Sequence, residues 1–361
     1  MHSSVELTRE LVRFNTVNPP GAEQPCAEHL ARLLESAGFA VDFVPFGEGR
    51  AQLLARLGGT PDKLPLGFTG HLDTVPLGAQ PWSFDPFAAE VTDGKLYGRG
   101  ASDMKSGIAA FVTACIALAD RLARTSGVML VITAGEKTGC SGAEALVRAN
   151  GQIGQVGALG VAEPTGNKST LTWPVTTCSA PRQLTLALYG GPQHQFSSRP
   201  GDDRYRYPHH TGAKPHANPR AVNKLSRAGR YVTLRMLLDA NSVWTDPHHP
   251  WISEAFQVAR NVEGVGNNIE SAPYFTDASV LTPAFGSPPI VIIGSGELAR
   301  AHQTDEYCLV SRIERATEIY SQLVRNWCRY LVGGNRRSVI SHRLTLEVRG
   351  RWGSRVRQGS R

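Results

Sequence analysis

From residue 5 to residue 162 the chain alternates between two kinds of apolar pattern. Val5 to Phe14 and Glu23 to Ala37 carry apolar residues at helical spacing, Phe39 to Pro45 and Ala51 to Leu57 alternate as strands do, and Leu64 to Thr69 reads as a strand ending at Gly70. A second round follows: a long helix over Ile108 to Leu122, a strand over Val128 to Thr133, a helix over Ser141 to Ala149 and a strand over Val156 to Ala162. A run such as Val128, Met129, Leu130, Val131, Ile132 has no polar side, so it must be covered on both faces. This rhythm predicts an α/β fold with a mainly parallel sheet and helices on both sides. With 361 residues there is room for a second domain or a large insertion.

The rhythm breaks near residue 170. Residues 191 to 220, GPQHQFSSRPGDDRYRYPHHTGAKPHANPR, hold no Val, Ile, Leu or Met, but four histidines and five prolines. Such a segment cannot bury enough apolar surface to offset the entropy lost on ordering. Regular patterning then returns, with a strand over Tyr231 to Leu238, a helix over Ile252 to Val262, a buried strand over Pro289 to Ile293 and a long helix over Val310 to Leu331.

The formal charge of +7 belongs to one place: residues 334 to 361 hold eight Arg and one Glu, so the remainder is balanced. A basic tail on a neutral body reads as a solvated extension, and a nucleic-acid partner is not expected. Cys26, Cys115, Cys140, Cys178, Cys308 and Cys328 form no CxxC pair and read as reduced, buried thiols. The polar amphipathic start and the lack of any stretch of membrane-span length predict a cytoplasmic protein with no membrane partner.

Polar clusters fall where strands end, which is where open α/β sheets bind ligands. GHLDTVP places His71 and Asp73 after the strand at 64 to 69, with Asp73 suited to orient a ligating imidazole. LYGRGASDMKSG places Asp103 at a helix start, where Ser102 and Asp103 also make good N-caps. TAGEKTGCSGA offers Glu136, VAEPT offers Glu163, and AHQTDEY offers His302 before the last helix. Taken singly each has an ordinary explanation. Taken together, His, Asp, Glu, Glu and His at strand ends and loops are the ligand types of a divalent metal such as zinc.

With RFNTVNPPG added, these motifs resemble, in order, those of the co-catalytic zinc amidohydrolases that include acetylornithine deacetylase, succinyl-diaminopimelate desuccinylase, aminoacylase and glutamate carboxypeptidases. The resemblance covers about residues 1 to 170 and 270 to 330. It implies that His71 and Glu163 hold a first metal, that Asp103 bridges two metals and that His302 ligates the second. It implies further that Asp73 orients His71, and that Glu136 is the general base in hydrolysis of an N-acyl amino acid or small peptide. Gly294, Ser295 and Gly296 resemble a backbone site for substrate carboxylate. The implied cofactor is one or two zinc ions, with cobalt able to substitute, and the implied assembly is a homodimer.

Two departures stand out. Where the family carries a second acid after the catalytic Glu, this chain has Lys137. A protonated ammonium cannot ligate a cation and repels one at close range. It could fill the second-metal position, paired to Asp103 and Glu136, or be neutral after a large pKa shift. The second departure is the lid. Residues 1–171 and 273–331 read as two parts of a catalytic domain, 172–272 as an inserted, degenerate α/β lid and dimerisation region, and 332–361 as the basic tail. Residues 191–229 read as disordered or out-of-frame sequence, His194 as the counterpart of a lid histidine, and dimerisation as weakened. Two readings stay open: an amidohydrolase, or an inactive relative of one.

Overall fold

The computed structural model describes residues 3–149, 153–168, 170–172, 183–189, 233–240, 243, 245–264, 270–272 and 274–329. The expectations for 191–229, for His194, for Cys178 and for the tail at 332–361 lie outside those residues.

In chain order the elements are α1 (Ser4–Arg13), α2 (Gln24–Ser36), β1 (Ala40–Gly47), β2 (Arg50–Leu57), β3 (Leu66–His71), β4 (Val91–Thr92), β5 (Lys95–Tyr97), α3 (Ser106–Ala117), α4 (Ala119–Leu122), β6 (Val128–Thr133), α5 (Ser141–Ala149) and β7 (Ala158–Val161). They continue with β8 (Thr170–Thr172), β9 (Gln183–Tyr189), β10 (Thr233–Ala240), α6 (Pro250–Glu263), β11 (Glu270–Ala272), α7 (Ala278–Ala284), β12 (Ile290–Ile292), β13 (Tyr307–Leu309) and α8 (Val310–Trp327).

Eight strands form one sheet in the order β1-β2-β6-β3-β7-β12-β8-β11. At its centre β6, β3, β7 and β12 all run parallel, while β1 and β2 form an antiparallel hairpin that joins antiparallel to β6. The sheet is covered on both faces, as the doubly apolar strands require. Val128, Leu130 and Ile132 face a core built with α1, α2, α3, α6 and α8, whereas Met129 and Val131 face a second core with α5 and α7. Adjacent side chains in a strand point to opposite faces, so one apolar run feeds both cores. A separate three-stranded sheet, β13-β5-β4, is antiparallel, and β9 pairs with β10 antiparallel.

Several element boundaries differ from the sequence expectation. β3 runs on to His71, because its backbone keeps pairing with β6 as far as Thr133. The helix expected over Ile108 to Leu122 is divided at Leu118, whose φ and ψ of −108° and 5° leave the helical range. The last helix stops at Trp327. α6 starts with Pro250 in its first turn, with His249 accepting a hydrogen bond from the Trp251 N–H, and ends at Gly264 in the left-handed conformation. Although α6 lies within 172–272, its Trp251, Ile252, Ala255 and Phe256 pack into the same core as α8. The five described cysteines are buried and unbridged. No helix among the described residues is long and apolar enough to cross a membrane.

Candidate metal centre

Because β6, β3, β7 and β12 are adjacent and parallel, their carboxyl ends open along one edge of the sheet, and the chemistry-bearing residues collect there. His71 ends β3, Glu136 follows β6 by three residues, Glu163 follows β7 by two, and Gly294 to Gly296 follow β12. Asp103 reaches the same place from the wide turn at 101–105 that leads into α3. This turn does not use Ser102 or Asp103 as helix caps. The Ser102 hydroxyl donates to the Tyr307 carbonyl at 2.8 Å, and Asp103 faces the histidines.

His71, Asp103 and Glu163 are buried, and each offers a ligand atom such that all lie within 4.8 Å of one another. His71 Nε2 is 3.2 Å from Asp103 Oδ1 and 3.6 Å from Glu163 Oε1. The other ring nitrogen, Nδ1, bonds at 2.9 Å to the backbone carbonyl of Asp73, whose carboxylate is 3.7 Å away. That carboxylate instead accepts the Glu136 N–H at 3.0 Å, the Lys137 N–H at 2.9 Å and the Asn18 side-chain amide at 2.9 Å. Asp73 thus orients the histidine through its carbonyl and the Glu136 loop through its carboxylate.

Lys137 lies among the acids. Its Nζ is 2.9 Å from Asp103 Oδ2 and 3.0 Å from Glu136 Oε2, with the side chain 12% exposed. The second contact is an ion pair without hydrogen-bond geometry, so Glu136 Oε2 is buried and accepts no hydrogen bond among the described residues. His302, at the surface with φ 64°, puts Nε2 2.8 Å from the same Asp103 Oδ2. His302 and Lys137 therefore share one carboxylate oxygen.

Charge states follow from this crowding. Burial and the Lys137 ammonium oppose protonation of His71, but the Asp103 hydrogen bond and the charges of Glu163 and Glu136 outweigh them and push it up to about 10. A cation binding at Nε2 must displace that proton. Burial raises Glu163 to about 8, against the pull of His71. Burial also acts to raise Asp103, but Lys137 and the two histidines outweigh it and hold the carboxyl well below its ordinary range. For Lys137, burial favours the neutral form and loses to Asp103, Glu136 and Glu163, which hold the amine well above an ordinary lysine. The two acids in contact with its Nζ favour the charged amine over the neutral alternative.

The glycines of the 294–296 turn serve close packing. A Cβ on Gly294 would meet the Ala162 carbonyl oxygen at 2.3 Å, and one on Gly296 the Ser102 oxygen at 2.0 Å. Either contact would push against the backbone beside Glu163 or Asp103. The Ser295 hydroxyl is buried and donates to Ser106 at 2.7 Å.

Other supports carry no sequence signature of their own. Glu306 accepts the N–H groups of Ser102 at 2.9 Å and Asp103 at 3.0 Å, and is itself held by Arg99 at 2.5 Å. Asp277 accepts a hydrogen bond from Thr133 and is pushed up to about 7 by burial and by Glu136. Asn18 and Glu306 lie inside motifs that the sequence reading picks out, RFNTVNPPG and AHQTDEY, so position within a motif was the available signal.

A donor set of one imidazole and two carboxylates suits zinc or a similar divalent ion, and three such groups within bonding reach of one point fit a first metal. A second metal does not fit, since the Lys137 ammonium stands against Asp103 Oδ2.

Comparison with known proteins identifies the family. The profile of peptidase family M20/M25/M40 matches residues 67–326. Succinyl-diaminopimelate desuccinylase of Wolbachia sp. subsp. Brugia malayi is 38% identical over 172 residues, 45% of this chain and 42% of that one. The enzyme of the same name from Acidiphilium cryptum is 43% identical over 136 residues, 37% of this chain and 34% of that one. These matches thus span less than half the length of either relative. Among solved structures, an M20 family metallo-carboxypeptidase from Sulfolobus solfataricus superposes with a TM-score of 0.66 at 14% identity, over 91% of this chain and 99% of that one. Human carnosine dipeptidase 1 gives 0.65 at 16% identity, over 90% and 95%.

Proposed function

Because the chain belongs to peptidase family M20/M25/M40, we propose that it is a metal-dependent hydrolase of the amide bond in N-acyl amino acids or small peptides, using zinc, or cobalt in its place, at His71, Asp103 and Glu163. The observation that carries this reading is the convergence of those three ligands beside the buried carboxylate of Glu136.

A divalent ion bound there polarises a carbonyl and makes water more acidic. The chain's own residues supply the remainder. Glu136 Oε2 takes a proton from the attacking water and hands it to the amide nitrogen as the C–N bond breaks. Asp73 fixes this base by accepting the N–H groups of both Glu136 and Lys137. Its carbonyl accepts from His71 Nδ1, which leaves Nε2 to ligate. Glu306 holds the backbone of Asp103. We assign Gly294 to Gly296 to the substrate carboxylate, on the family resemblance and on their place at the same sheet edge. His194 is assigned to the lid on the resemblance alone.

The desuccinylase relatives make an N-succinyl amino acid the first substrate to try. Zinc-loaded protein should release free amine from such a compound, and metal-stripped protein should not. A folded, zinc-loaded protein that releases no amine from N-succinyl, N-acetyl or dipeptide substrates would favour the second reading, an inactive relative. That second reading draws its support from Lys137 lying on the base and on a metal ligand.

A further inference from the structure

We infer that the Lys137 ammonium is a built-in replacement for a second metal ion, so that the centre takes one divalent cation and not two. The inference rests on the metal-centre reading above and deepens it.

The geometry argues for replacement over a stray contact. Lys137 is anchored at both ends: its N–H donates to Asp73 Oδ2 at 2.9 Å, and its Nζ reaches Asp103 Oδ2 at 2.9 Å. The side chain between is mostly covered, 12% exposed, so it is not a surface lysine that happened to fold inward. It lies between Asp103 and Glu136, in bridging contact with both. A bridging cation would need the Asp103 oxygen that faces away from His71, and that oxygen already takes Lys137 at 2.9 Å and His302 at 2.8 Å. Among the described residues, the group of three or more potential ligands close enough to share an ion is His71, Asp103 and Glu163, and His302 does not belong to it.

Charge points the same way. Asp103, Glu136 and Glu163 lie close together in the interior, and carboxylates so placed need compensation. One divalent ion and one ammonium bring three positive charges to these three acids. A second divalent ion would have to enter against the ammonium at a separation of a few Å, where repulsion is strong in a partly buried setting. The ammonium thus serves as a fixed cation that cannot be lost to chelators.

The test is zinc stoichiometry, using zinc alone on the full chain, with metal per chain measured after dialysis. The unaltered protein should hold one zinc. Lys137→Glu exchanges the repelling charge for a ligand and should hold two. Lys137→Met, which offers neither charge nor a hard ligand, should still hold one, bound about tenfold more tightly or better once the repulsion is gone. Two zinc ions in the unaltered protein would overturn the inference while leaving the metal-centre reading intact. One ion in a folded Lys137→Glu protein would do the same. If Lys137→Glu does not fold, equal zinc affinities of the Lys137→Met and unaltered proteins overturn it. No zinc in any of the three overturns both readings together.

Discussion

Glu136→Gln should lower amide hydrolysis by about 10²- to 10⁴-fold while leaving zinc content unchanged, the range that a positioned general base contributes. Glutamine keeps the size and shape of the side chain and loses its basicity. The backbone N–H of residue 136 still donates to Asp73, so the loop should stay in place. Lys137 retains Asp103 as a partner, and the His71, Asp103 and Glu163 cluster is untouched. Steady-state kinetics on zinc-loaded protein, with zinc measured on the same samples, separates a lost base from a lost ion. A rate within a few-fold of the unaltered protein would remove Glu136 from the role of base.

Arg99→Met should destabilise the fold by about 3–5 kcal/mol, the cost of leaving one charge of a buried pair uncompensated. Both side chains are 1% exposed, and Arg99 Nη1 lies 2.5 Å from Glu306 Oε2. The guanidinium also donates to the carbonyls of Pro76 and Gln303, at 3.1 and 3.2 Å. Without it, Glu306 has lost the partner that counters its burial, which already raises its carboxyl. Because Glu306 also accepts the N–H groups of Ser102 and Asp103, the damage should reach a proposed metal ligand. Urea denaturation measures the first effect, and weaker zinc binding in the folded variant measures the second. A stability change below about 1 kcal/mol would mean that the pair is not the buried anchor it is taken to be.

The parallel centre of the sheet was legible because the strands around Leu130, Phe68 and Leu159 are apolar on both faces, a pattern that requires two covering layers. The strand-end rule placed His71, Glu136 and Glu163 at the ends of strands, and the sheet order made those strands neighbours. Lys137 was legible as an anomaly, since a lysine beside Glu136 breaks the run of acids that the resemblance implies. The supporting contacts were not legible. Arg99 and Glu306 are separated by 207 residues, and Asn18 and Asp73 by 55; periodicity reports which face a residue lies on, not which distant residue it meets. The same limit applies to Ser102 and Asp103, whose residue types suit an N-cap. Tertiary contacts with Tyr307, His71 and His302 claimed them instead. The end of β3 moved because pairing with β6 continued through two residues, Gly70 and His71, that no strand propensity marks.

The most direct test of the account is anomalous diffraction at the zinc edge from crystals of the zinc-loaded protein. One anomalous peak in contact with His71 Nε2, Asp103 and Glu163 is expected, with Lys137 still between Asp103 and Glu136. A second peak between Asp103 and His302, or a single peak away from His71, Asp103 and Glu163, would contradict it.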